Sequence, residues 1–325
     1  MPATPAAAAR RGLPDRLWPS VDQELLLKAV FGSEEAAREA WAELRSGFDL
    51  DRMEDGSFAL MPLLYRRIET WELDDPLVPR LKGLYRHSWY RGNVLLERLK
   101  DVARLAAEKR IDLLVADEPL LMTRVYKDPA LRPATHLDLL LRDEELDPFA
   151  RALQSHGWEC PSKHVLTFQH PSGPFAVLHG GLETELWERG EELAADGSSD
   201  RMLGRTDQLL RTCLGQSRLQ LVNRLQWIAD AKLLVESDSG TIDWELVNRT
   251  ARSERSSLKL GDALSYVSGV VGAPVPDQVL ERLASDSPSR RELLAHGIGR
   301  LDAPNRAKKA IPAGVRQALR RIIPR

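Results

Sequence analysis

Two cysteines in 325 residues, Cys160 and Cys213, exclude a disulfide framework, and neither belongs to a CxxC pair that would point to zinc or thiol redox chemistry. Aromatic residues make up only 6% of the chain, although eight of them are tryptophans, and most of these fall inside periodic apolar segments where core anchoring is the expected use. No uninterrupted apolar run approaches the ~18–20 residues of a membrane span. The opening MPATPAAAARRGLP has an alanine-rich stretch but no apolar core of the length a signal peptide needs. These absences together lead us to expect a cytoplasmic protein with no membrane span. Charge of one sign is also lacking: a formal net charge of −2 makes the chain as a whole no obvious polyanion binder. The exception is the stretch from Ser287, with ten Lys/Arg against Glu292 and Asp302. There Lys308, Lys309, Arg316, Arg320 and Arg321 form a basic tail that could contact an acidic partner. No aromatics are interleaved with these residues, so nucleic acid is not the expected partner.

What is present divides into five stretches. Residues 1–20 are rich in Ala, Pro and Arg and are expected to be disordered. Over 21–109, VDQELLLKAVF, EEAAREAWAEL, MPLLYRRIETW and LLERLKDVARLAAEK space apolar residues by three and four, the period of amphipathic helices. The pattern changes at Arg110. IDLLVA reads as a strand, PLLMTRVY as a helix, HLDLLLR as a second strand and DEELDPFARALQSHG as a helix that Gly157 ends; two more strand-like runs, WECPSKHVLTFQH and PFAVLHGGLE, follow. This order predicts a small mixed-sheet α/β unit over 110–200. A second helical block occupies 201–286, and the basic tail 287–325. The expected fold class is α+β: a small sheet unit between two helical blocks.

The run YKDPALRPATHLDLLLRDEEL resembles a segment of a bacterial nucleotidyltransferase-like family, a branch of the DNA-polymerase-beta-type superfamily. Tyr126, Arg132, Asp138, Leu139 and Leu140 match its pattern in order and spacing. PLLYRRI is similar to the family's helical lead-in. NRLQWIADAKLLVES and IDWELVNRTAR are similar to its helical tail, with Trp227, Asp230, Asp243 and Trp244 in matching places. The likeness covers roughly residues 55–285. It implies a nucleotidyltransferase palm, with NTP as ligand and Mg²⁺ held by carboxylates. Two acids at i and i+2 of one strand face the same way and can share a metal ion. By the resemblance those positions are 136 and 138, with a third acid on the strand that ends at His179.

The sequence departs from that pattern at four places. Position 136 is His, so Asp138 is the remaining acid of the pair and the candidate catalytic residue. Val177 stands where the third acid is expected. Asp117 and Glu118 replace a Lys-Gly pair beside the phosphate region, and TCLGQS lacks a histidine common in the helical tail. Arg132 is the candidate substrate contact, with an ion pair to Asp138 or Asp128 as its structural alternative. Glu183 and Glu185 could supply displaced carboxylates from one strand face, and Asp230 is expected to pair with an arginine, Arg224 being the nearest in sequence.

A different chemistry competes. His136 and Asp138 form an H-x-D pair, His179 follows 41 residues after Asp138 and Arg189 lies ten beyond, an order similar to the two-His-one-carboxylate site of non-haem iron oxygenases. The chain lacks the many strands of a jelly roll, so a transition metal bound by His136, Asp138 and His179 within the palm is the better form of this idea. Three functions follow: an impaired nucleotidyltransferase-fold protein that binds a nucleotide, peptide or protein partner in a biosynthetic pathway; an active Mg²⁺-dependent enzyme moving a nucleoside monophosphate from NTP to a small molecule or peptide; and a transition-metal enzyme.

Overall fold

Local capping sets the first helices. Ser20 accepts from the Gln23 N–H while the Gln23 side chain accepts from the Ser20 N–H, so both orphan donors at the start of α1 (Val21–Phe31) are satisfied. Ser33 caps α2 (Glu34–Arg45) in the simpler way. α3 (Met61–Ile68) follows, and then α4 (Leu77–Lys109), whose last turn closes on Arg110 with a left-handed backbone. These elements belong to a computed structural model that describes residues 19–53, 56–161, 166–171, 173–181, 184–192, 201–215, 225–237 and 241–286, with Pro288 and Leu293. The 1–18 segment, Glu183, Arg224 and the basic residues of the tail lie outside the described residues.

The strand pattern expected from Arg110 onward is present. β1 (Leu114–Ala116) leads into α5 (Asp117–Leu120), which continues as a π-helical turn over Leu121–Tyr126. β2 (His136–Leu140), α6 (Asp143–Ser155), β3 (Thr167–Gln169) and β4 (Phe175–His179) come next, and Gly157 takes the positive φ of 86° that ends α6. The sheet is larger than the sequence pattern implies. Beyond α7 (Thr184–Glu188), the two-residue strands β5 (Glu191–Glu192) and β6 (Arg201–Met202) join it, giving the order β3-β4-β2-β1-β6-β5. Neither strand carries an apolar alternation, because two residues of ladder need none; their register comes from β6 running parallel to β1. The chain ends its described course in α8 (Arg205–Leu214), α9 (Gln226–Glu236), α10 (Trp244–Ser253), α11 (Ser257–Val271) and α12 (Asp277–Ser285). The fold class is α+β.

Alternation along the strands divides the core in two. Leu137, Leu139 and Leu141, with Val115, Phe168, Ala176 and Leu178, face the second half of α4 and the apolar side of α6. On the opposite face Leu114, Ala116 and Leu140 pack into a core shared by both helical blocks, where α1 and α3 meet α9 and α11. Trp227 is buried in that core and Trp244 packs against it, the structural use expected of both. On the same face, the β2–β4–β3 end carries His136, Asp138, Phe175, Val177 and His179 in place of leucines, and there the sheet is only partly covered. That end is where the candidate site lies.

Candidate functional site

β2 and β4 run parallel, and their register pairs His136 with Phe175, Asp138 with Val177 and Leu140 with His179. On its other side Asp138 is opposite Ala116 of β1. Asp138 is therefore flanked across the ladder by two side chains without polar atoms, and its partners come along the face instead. His179 Nε2 lies 2.8 Å from Asp138 Oδ1 in a hydrogen bond. His136 Nε2 lies 3.0 Å from Oδ2, off the hydrogen-bonding direction, so this contact is one of charge and the buried Oδ2 has no hydrogen-bond donor among the described residues. Arg211, projecting from α8, places Nη2 4.0 Å from Oδ1. The structure thus brings His136, Asp138 and His179 together, two imidazoles around one carboxylate.

Asp117 and Glu118 are not bare anions beside a phosphate pocket, as their replacement of a Lys-Gly pair suggests. Asp117 accepts from Arg211 Nε at 2.5 Å and from Gln208 Nε2 at 2.8 Å, and its own N–H donates to Gln208 Oε1 at 2.9 Å. Its φ of 51° also places the glycine-favouring backbone at 117 and not at 118. Glu118 is buried, with Oε1 2.9 Å from Arg132 Nη1. Its Oε2 accepts from the Thr135 N–H at 2.6 Å and the His136 N–H at 3.0 Å, and lies 3.2 Å from His136 Nδ1. Gln208 and Arg211 stand one turn apart on α8, so a single helix face reaches the site; in sequence they look like ordinary polar positions of an amphipathic helix, and only the fold identifies them.

Arg132 is 6% exposed. Besides Glu118 it holds Asp230 of α9, with Nη2–Oδ2 3.0 Å and Nε–Oδ1 3.4 Å. Asp230 Oδ1 also accepts from the Tyr126 hydroxyl at 2.8 Å and from Gln226 Nε2 at 3.1 Å. Arg132 therefore pairs with Glu118 and Asp230 and not with Asp138 or Asp128; Asp128 accepts from the Tyr85 hydroxyl. Asp230 does pair with an arginine, but with one 98 residues away. Three residues that carried the family likeness, Tyr126, Arg132 and Asp230, form one buried hydrogen-bonded unit that ties the helical tail to the palm. Glu185 lies on α7 and not on a strand; its side chain is 74% exposed and meets Arg189, which in turn holds Asp207.

The charges set one another's protonation. Burial pushes the Glu118 carboxyl up, but Arg132 and His136 outweigh it and hold it down at about 2. Burial likewise disfavours ionised Asp138, and the two imidazoles overcome it, keeping the carboxyl well below the usual range. For His136, burial acts to lower the pKa while Asp138 and Glu118 raise it, and the net result is about 10. At neutral pH His136 is a cation.

The sequence over residues 58–272 matches the family described as uncharacterised nucleotidyltransferase. The chain belongs to that family. No protein of curated function matches it. Among the described residues, its nucleotidyltransferase-like palm does not present the carboxylates that a divalent cation needs. Among the described residues no three His, Cys, Asp or Glu side chains are arranged to hold a metal ion. Asp138 offers one oxygen without a hydrogen-bond donor, the neighbouring acids Glu118 and Asp117 are engaged by Arg132, Arg211 and Gln208, and the nearest side chain to the free oxygen is a protonated imidazole. Mg²⁺ does not fit this set of donors. His136, Asp138 and His179 are no exception, the Nε2 atoms of both imidazoles being engaged with the Asp138 carboxylate.

Proposed function

We infer that this nucleotidyltransferase-family protein is catalytically impaired and uses the palm to bind a nucleotide, peptide or protein partner without metal-dependent transfer. The observation that carries this reading is the placement of charge around Asp138. Where a second metal-binding acid would stand on the same face of β2, the protein has a cationic His136, 3.0 Å from the carboxylate oxygen that a metal would take. Transfer chemistry on a triphosphate depends on cations that neutralise the developing charge and position the reacting oxygens. A protonated imidazole already paired with Asp138 does neither. The half-exposed ring atoms of His136 and His179, with Arg211 beside them, remain able to hydrogen-bond a polar or anionic group of a ligand.

Titration with ATP, CTP, GTP and UTP, each with and without Mg²⁺ or Mn²⁺, tests the proposal. Any nucleotide affinity is expected to be insensitive to metal, with no pyrophosphate released. Metal-dependent binding with pyrophosphate release that Asp138→Asn abolishes would overturn it, and would favour the active enzyme. That second reading draws on one observation, the donor-free Oδ2 of Asp138.

A constructive variant checks the same reasoning. Asp138 and Val177 are register partners on adjacent parallel strands about 4.8 Å apart. The double substitution His136→Asp/Val177→Asp removes the imidazolium and sets two further carboxylates around Asp138. Calorimetry with MnCl₂ is expected to detect binding at about 10⁻⁴–10⁻³ M in this variant and none in the wild type. Equal Mn²⁺ affinity in both proteins would contradict the charge argument.

A further inference from the structure

The middle of α4 turns a face to solvent that the palm does not use. From Pro76 to Leu96 the chain has no Asp or Glu, while Arg80, Lys82, Arg86 and Arg91 supply four cations. Arg80 is engaged by Asp51. Lys82, Arg86 and Arg91 are exposed, and among the described residues no carboxylate lies within ion-pair distance of them. Between them stand two of the few large apolar side chains exposed anywhere in the described chain, Trp89 at 50% and Tyr90 at 64%. Helical spacing puts Lys82, Arg86 and Tyr90 on one i, i+4 ridge, with Trp89 beside Arg86 at i+3. The nearest carboxylates of the elements packed here are satisfied elsewhere: Glu69 pairs with Arg66, and Asp128 accepts from Tyr85 and from the Ala130 N–H.

The geometry points to this face as a docking surface for single-stranded nucleic acid. Cations beside exposed rings on one helix face suit a strand whose phosphates track the Lys and Arg side chains while its bases stack on Trp89 and Tyr90. The remaining segments of the chain do not complement it. Residues 1–18 carry three Arg against Asp15, and the stretch from Ser287 has ten Lys/Arg against two acids, so both would be repelled. An anionic membrane surface would call for a continuous apolar stripe to insert. The apolar side of α4 is instead buried in the core through Leu81, Leu95, Leu99 and Val102. The surface lies outside the palm, so it does not depend on what the palm binds.

Fluorescence anisotropy with the full chain and a labelled oligothymidylate of about 20 nucleotides tests the proposal at low salt. Binding is expected to weaken as salt rises. Trp89→Ala and Tyr90→Ala are each expected to lower affinity by on the order of tenfold, and Arg86→Ala to reduce the slope of log affinity against log salt by about 0.7. All three positions are exposed, and unchanged circular-dichroism melts would establish that the fold is intact. No binding of the oligonucleotide at low salt would overturn the proposal. So would binding that survives in Arg86→Ala and Trp89→Ala, since the basic tail would then be the binder. Trp89-dependent binding of poly-glutamate or phosphatidylserine vesicles without oligonucleotide binding would also overturn it, in favour of an acidic protein or a membrane.

Discussion

Arg132→Met is expected to lower the unfolding free energy by about 3–5 kcal/mol. The guanidinium bridges Glu118 and Asp230, all three side chains being under a tenth exposed. Bringing three charged groups out of water is costly, and they are tolerated because each meets an opposite charge at 2.9–3.0 Å. Methionine fills much of the same volume and leaves two buried carboxylates facing one another, Asp230 without an ion-pair partner among the described residues and Glu118 with only His136 beside it. Burial works against the charged guanidinium, and Asp230 and Glu118 more than reverse that, so its pKa is raised. The penalty follows from orphaning the acids, not from losing the arginine's own stabilisation. The triple variant Arg132→Met/Glu118→Gln/Asp230→Asn should therefore recover a substantial part of the loss. Tyr126→Phe removes the hydroxyl's donation to Asp230 and its acceptance from Gln226 Nε2 and should cost about 1.5–3 kcal/mol. Urea denaturation of the four proteins, read as midpoint and slope, measures all of this. If Arg132→Met unfolds at the wild-type midpoint while ligand affinity drops, the arginine is a substrate contact and the clasp between palm and helical tail is unimportant.

The clasp also marks what could be read from the sequence and what could not. The helices of 21–109 and the order of strands and helices from Arg110 to His179 were legible because apolar period reports directly on which face is buried. The ladder sets Val177, where the resemblance implies a third acid, opposite Asp138. Partners were not legible. An arginine in a family pattern is equally compatible with a phosphate and with a buried carboxylate, and nothing local links Arg132 to Asp230, 98 residues away. Asp117 and Glu118 read as a reversal of charge, because their counter-ions Arg211 and Arg132 come from other elements. β5 and β6 escaped because a two-residue strand has no period to detect. Residue types and spacing gave the scaffold; net charge at each point of the site is a property of three-dimensional neighbours.

His136 is expected to titrate near pH 10 in the folded protein, about 3.5 units above the unfolded value of 6.5. The direction fixes the stability profile. A histidine whose pKa is raised on folding contributes stability that is present in full below 6.5 and is lost as pH climbs through 10, up to a bound of about 5 kcal/mol. Glu118 and Asp138 act at the opposite end. Their depressed carboxyls contribute stability that is present above the usual carboxylate range and is lost as pH falls toward 2. From these groups the wild type should thus be most stable between about pH 5 and 6.5, and His136→Gln should flatten the alkaline limb while leaving the acid limb in place. Asp138→Asn removes the nearer of the two anions facing His136 and should bring its titration midpoint down, Glu118 remaining. Imidazole resonances followed by NMR across pH 5–11 test both statements; a His136 midpoint near 6.5 in the wild type would sink the argument. The same spectra bear on the metal. An imidazolium 3.0 Å from Asp138 Oδ2 competes with any divalent cation for that oxygen, so millimolar Mg²⁺ at pH 7 should leave the His136 and His179 signals unmoved. Only where His136 loses its proton, near pH 10, does the carboxylate become available to a second positive charge.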